Sequence, residues 1–180
     1  MSYRLLIDER LCTGCKSCEV ACQLEHNLPI GTRPLRVLAL GPFQIEGALW
    51  MSFQPATCTH CANPICVQVC LQGAMQQGPD GIVFSDPDLC IGCQACAAAC
   101  PTAAPVLNTQ TGKIAKCDYC RERLAAGFQP ACAEKCPTGA LTFGAMGQLI
   151  NQRQRLFAEQ LAAALPNQWR AAEAGNGGAR

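Results

Sequence analysis

Histidine is nearly missing from this chain, with His26 and His60 alone among 180 residues. Neither stands in a recognisable pairing with a nucleophile, and no glycine-rich phosphate loop occurs, so substrate chemistry has no evident home. No catalytic residue is expected. Aromatic side chains are scarce too, at 6% with two Trp and two Tyr, which leaves a thin core for this length. Something other than side chains is expected to fill the interior. Long apolar runs are also lacking: nothing approaches the roughly 18 residues that span a bilayer. The charges nearly cancel, at a formal +1, so there is no electrostatic case for nucleic acid or an anionic membrane surface. No export leader is expected in the opening residues, since Asp8 and Glu9 break a short apolar run and no twin arginine is present, although a chain trimmed after export would read the same. The expectation is a cytoplasmic protein in a reducing compartment, where dense cysteines bind metal or do redox chemistry.

Cysteine is what the chain has in excess: 16 residues in four groups of four, none left over. The first group is Cys12-x2-Cys15-x2-Cys18-x3-Cys22 and the second Cys58-x2-Cys61-x4-Cys66-x3-Cys70. The third is Cys90-x2-Cys93-x2-Cys96-x3-Cys100-Pro101, and the fourth Cys117-x2-Cys120-x11-Cys132-x3-Cys136-Pro137. A structural zinc site wants two Cys-x2-Cys pairs closing a tetrahedron, and a third cysteine two residues on is surplus to it. Cys-x2-Cys-x2-Cys-x3-Cys-Pro is instead the bacterial ferredoxin spacing for a [4Fe–4S] cubane. Three thiolates wrap one cluster in a tight loop, and the fourth leaves on a short helix toward the other cluster of a pair. Pro101 lacks an N–H and ends that helix, while Gly14 and Gly92 let the loop backbone bend close to the cluster. Four [4Fe–4S] clusters are the expected cofactors. Zinc and disulfides are the weaker alternatives.

The rest of the chain organises around these groups. Between groups two and three, Pro79-Asp80-Gly81 predicts a hairpin turn and Ile82–Phe84 its returning strand. A strand is predicted at Tyr3–Ile7 before group one, and another at Leu141–Gly144 after group four. Strands at Arg36–Leu40 and Leu49–Phe53 are predicted on either side of Gly41-Pro42, and a helical turn from Arg121 that stops near Gly127 and Pro130. The expected fold is α+β: two interleaved ferredoxin-like modules in residues 1–145. One is built from 1–30 and 111–145, the other from 55–110, with 31–54 as an insertion. Residues 146–180 form a C-terminal helix and tail. In the helix, Leu149, Ile150, Leu156, Phe157, Leu161, Ala164 and Leu165 share a face that packs on its own domain or docks a partner. The tail Ala171–Arg180 has the composition of a disordered segment.

Two segments carry a family resemblance: Cys12-Thr-Gly-Cys-Lys-Ser-Cys-Glu-Val-Ala-Cys22, and the run from Gly112 through Cys117-Asp-Tyr-Cys120 to Cys136-Pro-Thr-Gly-Ala140. Over about residues 3–145 the chain resembles the four-cluster iron–sulfur subunits of molybdenum and tungsten oxidoreductases, of the dimethyl sulfoxide reductase type. Small subunits of formate dehydrogenase and tungsten aldehyde oxidoreductase look similar. The resemblance implies ligand exchange between groups. Cys12, Cys15, Cys18 and Cys136 would hold cluster 1, and Cys117, Cys120, Cys132 and Cys22 cluster 2. Cys58, Cys61, Cys66 and Cys100 would hold cluster 3, and Cys90, Cys93, Cys96 and Cys70 cluster 4. It also implies a catalytic Mo/W partner subunit, such as a tungsten aldehyde oxidoreductase or a formate dehydrogenase, and a flavin or NAD-linked subunit beyond it. Self-association, with clusters continuing from one copy to the next, is a further arrangement.

The expected function is therefore an electron-transfer subunit with four clusters between a catalytic subunit and a second redox partner. The alternative is a freestanding polyferredoxin shuttle, and a third reading is a colourless zinc module. Of the remaining polar residues, His60 is expected as a plain loop histidine or a contact to a cluster sulfur. His26 is expected to be structural or solvated, and Asp118 a loop carboxylate. Lys16, Lys116 and Lys135 flank ligands as surface charges or as cations that raise a nearby potential.

Overall fold

Each stretch between cysteine groups is too short for a large sheet, and the chain answers with strand pairs. The computed structural model describes residues 3–164. β1 (Tyr3–Ile7) leads through one 3₁₀ turn, capped by the Asp8 side chain accepting from the Arg10 amide, into the first cysteine loop. Helix α1 (Ser17–Glu25) follows and buries Cys18, Glu19, Ala21 and Cys22. β2 (Arg36–Ile45) and β3 (Ala48–Ala56) then form an antiparallel hairpin. Gly41-Pro42, expected to separate two strands, lies inside β2 instead, at a register shift between Leu40 and Phe43. Proline has no N–H for the ladder, and an irregularity lets the strand pass it. The turn falls on Glu46-Gly47, both at positive φ (50° and 83°), as a two-residue hairpin loop requires.

Helix α2 (Ile65–Gln68) opens at Pro64 and carries Cys66. β4 (Met75–Gln77) and β5 (Val83–Ser85) pair antiparallel around the turn at Pro79-Asp80-Gly81, as the residues there predict. Helix α3 (Ala95–Ala99) leads to β6 (Val106–Asn108) and β7 (Lys113–Ala115), a hairpin that no sequence pattern indicated. Its loop is held locally: the Asn108 side chain accepts from the Gln110 amide at 3.0 Å and its carbonyl from the Gly112 amide at 2.8 Å. Helices α4 (Arg121–Ala125) and α5 (Ala131–Glu134) span the long insertion of group four. β8 (Leu141–Ala145) then pairs antiparallel with β1, Tyr3 opposite Ala145 and Ile7 opposite Leu141. Short helices and two-stranded antiparallel sheets make the α+β class expected.

Thiols supply much of the core. One buried cluster gathers Cys18, Cys22 and Cys132 with Leu35, Val37 and Leu141, and Cys12 and Cys136 pack against it. A second gathers Cys66 and Cys96 with Met75, Val83 and Ile114, flanked by Cys70 and Cys90. The scarcity of large side chains is thus matched by interiors lined with sulfur.

Compact packing ends at Ala145, and Met146 begins a separate unit. Its described part is helix α6 (Met146–Ala164), where Ile150, Leu156, Phe157 and Leu161 are exposed. Leu165 and the tail Ala171–Arg180 lie outside the described residues. Among the described residues no helix is long and apolar enough to cross a membrane.

Candidate metal centres

The four cysteine loops share a backbone device. The residue two after each leading cysteine is left-handed: Gly14 at φ 71°, His60 at 48°, Gly92 at 71° and Tyr119 at 58°. In groups one and three the next loop residue but one repeats it, with Lys16 and Gln94 both at φ 61°, ψ 9° where their helices begin. Left-handed residues turn successive amides inward, the concave arrangement that receives anions. Glycine is needed sterically at two of these places. A Cβ on Gly92 would lie 2.0 Å from the Gly112 carbonyl oxygen, and one on Gly14 would lie 2.6 Å from the Phe53 ring.

Amides and hydroxyls converge on the sulfurs. The amides of His60, Met75 and Ile114 each donate at 3.4 Å to Cys58, Cys70 and Cys90 Sγ respectively. Thr59 and Thr102 hydroxyls lie 3.4 Å from Cys61 and Cys100 Sγ. Cys100 and Cys136 head the same Cys-Pro-Thr turn and share an electrostatic signature. Burial pushes the Cys100 thiol up, but the Thr102 hydroxyl and the amides of Ala104, Thr102 and Ala103 outweigh it, so its pKa falls below the ordinary thiol value. At Cys136 burial is likewise outweighed, by the amides of Leu141, Thr138 and Ala140 and the Thr138 hydroxyl. The deeper thiols go the other way. Burial raises Cys18 to about 11, with Cys136 and Cys12 adding repulsion, and raises Cys120 to about 12, with Cys117 adding to it. Cys22 and Cys132 are pushed higher still, first by burial, and burial raises Cys117 as well.

The same interactions identify neighbours. Cys22 lies near Cys117, Cys120 and Cys18, and Cys132 near Cys117, Cys120, Cys22 and Cys18. Cys66 lies near Cys58 and Cys100, while Cys96 lies near Cys70 and Cys66. All 16 cysteines are free thiols, and the second cysteine of groups one to three, Cys15, Cys61 and Cys93, is exposed. As bare thiolates these clusters of buried sulfur would repel one another; a multi-iron centre supplies the positive charge that makes them compatible. A [4Fe–4S] cluster, when bound, contributes a one-electron couple whose potential depends on hydrogen bonds to sulfur and on burial. The donor set fits that group: soft thiolates in fours, ringed by amides.

Two residues depart from one of the roles expected of them, the plain loop histidine at His60 and the surface charge at Lys116. His60 is no plain loop residue but is buried, with 1% of its surface exposed. Its Nδ1 accepts from the Val83 amide at 3.0 Å, so the proton of the neutral ring sits on Nε2, which has no hydrogen-bond partner. Burial, then the Lys116 and Arg4 charges, hold its pKa down at about 2. Lys116 is equally no surface charge: it is buried, and Nζ donates at 2.6 Å to both the Val83 and Cys117 carbonyls. His26 Nε2 lies 3.4 Å from Cys120 Sγ and 3.7 Å from Asp118, a polar contact its sequence neighbours did not reveal. Asp118 accepts from the Cys120 amide at 2.8 Å, the local loop role expected. Lys135 stays exposed and pairs with Glu134 at 2.9 Å.

Sequence reasoning passed over Glu19 and Tyr119. Glu19, on α1 between two ligand positions, is buried and accepts from the Val37 amide at 2.5 Å and from Arg33 at 3.0 Å. A lone acid in an otherwise apolar turn was the signal available for it. Tyr119 stacks against His60 with ring centroids 3.7 Å apart.

Comparison with known proteins agrees with this geometry. Two models of the 4Fe-4S dicluster domain match, over residues 11–74 and 49–146. The B subunit of the anaerobic dimethyl sulfoxide reductase of Escherichia coli is 40% identical over 163 residues, covering 87% of this chain and 80% of that protein. The thiosulfate reductase electron transfer subunit PhsB of Salmonella typhi is 44% identical over 153 residues, 84% of this chain and 80% of that protein. The B subunit of the polysulfide reductase of Wolinella succinogenes is 39% identical over 160 residues, 88% of this chain and 84% of that protein. Two dicluster domains and 16 cysteines correspond to four [4Fe–4S] clusters.

Proposed function

This chain belongs to the 4Fe-4S dicluster family, and we propose that it is the electron-transfer subunit of a reductase whose catalytic subunit carries molybdenum or tungsten. The observation that carries the reading is the gathering of thiols from distant groups. Groups one and four share one core and groups two and three the other. This supports the exchanged ligand sets: Cys12, Cys15, Cys18 and Cys136; Cys117, Cys120, Cys132 and Cys22; Cys58, Cys61, Cys66 and Cys100; Cys90, Cys93, Cys96 and Cys70. It also supports two interleaved modules, since β1 and β8 pair across the whole span while β4 to β7 lie within it. Each exchanged ligand ties two loops to one centre and keeps neighbouring centres close.

The relatives' names point to sulfur compounds, namely dimethyl sulfoxide, thiosulfate and polysulfide, as the partner's substrate class. They favour a reductase of that kind over the aldehyde or formate oxidation first expected. A partner needs a surface, and the chain offers apolar ones. Leu38, Leu40, Phe43, Ile45, Leu49, Trp50 and Met51 are exposed on the β2–β3 hairpin, as are Ile150, Leu156, Phe157 and Leu161 of α6, whereas Leu149 is buried. A freestanding shuttle has no use for such faces.

The test is elemental analysis of the natively tagged protein, purified without oxygen with whatever accompanies it. About 16 irons per chain with stoichiometric molybdenum or tungsten in a second polypeptide is the expected result. The same iron with no second metal and no second polypeptide would instead establish the shuttle.

A further inference from the structure

Two of the four left-handed loop positions are filled by glycine, and the other two by large rings that meet each other. His60 and Tyr119 occupy the same place in groups two and four that Gly14 and Gly92 occupy in groups one and three. Side chains rarely adopt that conformation, and glycine adopts it freely, so the rings persist against a local backbone cost. Only 1% of His60 and 2% of Tyr119 is exposed, and their planes are tilted by 30° at 3.7 Å between centroids.

Further contacts close a circuit around the stack. Val83 in β5 donates its amide to His60 Nδ1 at 3.0 Å, and its carbonyl accepts from Lys116 Nζ at 2.6 Å. Lys116 reaches on to the Cys117 carbonyl at 2.6 Å, at the head of the loop that holds Tyr119. Tyr119 also meets Phe143 of β8 edge-on at 5.0 Å, and Phe143 stacks on Tyr3 of β1 at 5.5 Å. Cys58 and Cys117, the leading cysteines of the two loops, are close enough to interact electrostatically. The stack therefore lies where the loop of group two meets the loop of group four. Those two groups belong to different cores and share no proposed ligand.

We propose that His60 and Tyr119 are a positioning pair: their stack is the joint that fixes the separation of the group-two and group-four loops, and so sets the electronic contact between the two cluster pairs. This rests on the ligand sets proposed above. Within each pair, an exchanged cysteine fixes the spacing covalently. Between pairs no cysteine is shared, and the aromatic stack with its Val83–Lys116 bonds takes over that task. The rings are not needed to close their own loops, because glycine does so at the same position elsewhere.

The experiment uses the holo chain purified without oxygen, as wild type and as His60→Gly, Tyr119→Gly and Tyr119→Phe. Iron content is measured, together with the magnetic interaction between reduced clusters in the electron paramagnetic resonance spectrum. Both glycine variants are expected to keep about 16 irons and to lose the broadening from the group-two and group-four centres. Tyr119→Phe, which retains the ring, should match the wild type. Unchanged broadening in both glycine variants at full iron would overturn the proposal. So would iron loss confined to those two centres, since the rings would then serve their own loops and not the joint. A wild-type chain with far fewer irons would instead overturn the ligand sets, and the joint with them.

Discussion

Replacing Lys116 by Met would separate two roles of one buried cation. Its ammonium is the donor for the Val83 and Cys117 carbonyls, each at 2.6 Å. A buried carbonyl left without a donor costs about 1–3 kcal/mol, which sets a gross loss of roughly 2–6 kcal/mol for the two. Against this stands the desolvation of the lysine itself, several kcal/mol for a buried ion before compensation, which the Met side chain escapes. The net expectation is a loss of about 1–3 kcal/mol. With a urea dependence of about 1–3 kcal/mol per molar, the unfolding midpoint should fall by about 1 M. The assay is anaerobic urea titration of the holo chain, followed by the visible absorbance of the clusters. The second role is electrostatic. Burial pushes the Cys66 and Cys117 thiols up, and the Lys116 charge opposes it in both cases. A charge that favours thiolate also favours the more negative, reduced state of a centre beside it. Potentials of the centres that use Cys66 and Cys117 should therefore fall in Lys116→Met and be largely kept in Lys116→Arg. A midpoint and potentials both equal to wild type would refute the reasoning, because the buried ammonium would then contribute neither hydrogen bonds nor field.

Other perturbations test other parts. Glu19→Ala strips the buried Val37 amide of a charged acceptor, worth about 1.5–3 kcal/mol, and Glu19→Gln should lose only about half as much; equal urea midpoints for the two would show that the hydrogen bond is not what matters. His60 stays neutral in the fold with a pKa of about 2 against 6.5 in an ordinary setting. The unfolded chain therefore takes up a proton below pH 6.5 that the folded chain refuses, and stability is lost as pH falls from there toward 2. Relative to His60→Gln, the wild type should lose about 2 kcal/mol more between pH 8 and pH 5, read from urea midpoints at each pH. A parallel pH dependence in the two proteins would contradict the buried neutral ring. Cys100→Ala should cost about four irons and the centre held mainly by group two; loss confined to the group-three centre, by cluster spectroscopy, would sink the exchanged assignment.

Much of this chain was legible because cluster ligation is a local problem first. The Cys-x2-Cys spacing, Gly14 and Gly92 in the tight turns and the proline after Cys100 act within a dozen residues, and backbone sterics there leave few alternatives. The hairpin around Pro79-Asp80-Gly81 and the helix ending before Gly127 were readable for the same reason. Gly41-Pro42 misled because those residues punctuate turns as a rule, yet the partner strand β3 carried the pairing past them. The hairpin of β6 and β7 has three-residue strands, too short for any periodicity to register. By itself, then, the sequence determined the cofactor class, the number of centres and the α+β character, since these follow from ligand chemistry and short-range geometry. Only the tertiary structure decided that His60 and Lys116 are buried, that Glu19 holds β2 to α1, and that Tyr119 meets His60 across two loops. Those contacts join residues distant along the sequence, and their burial and pairing come into being only when the loops close on one another.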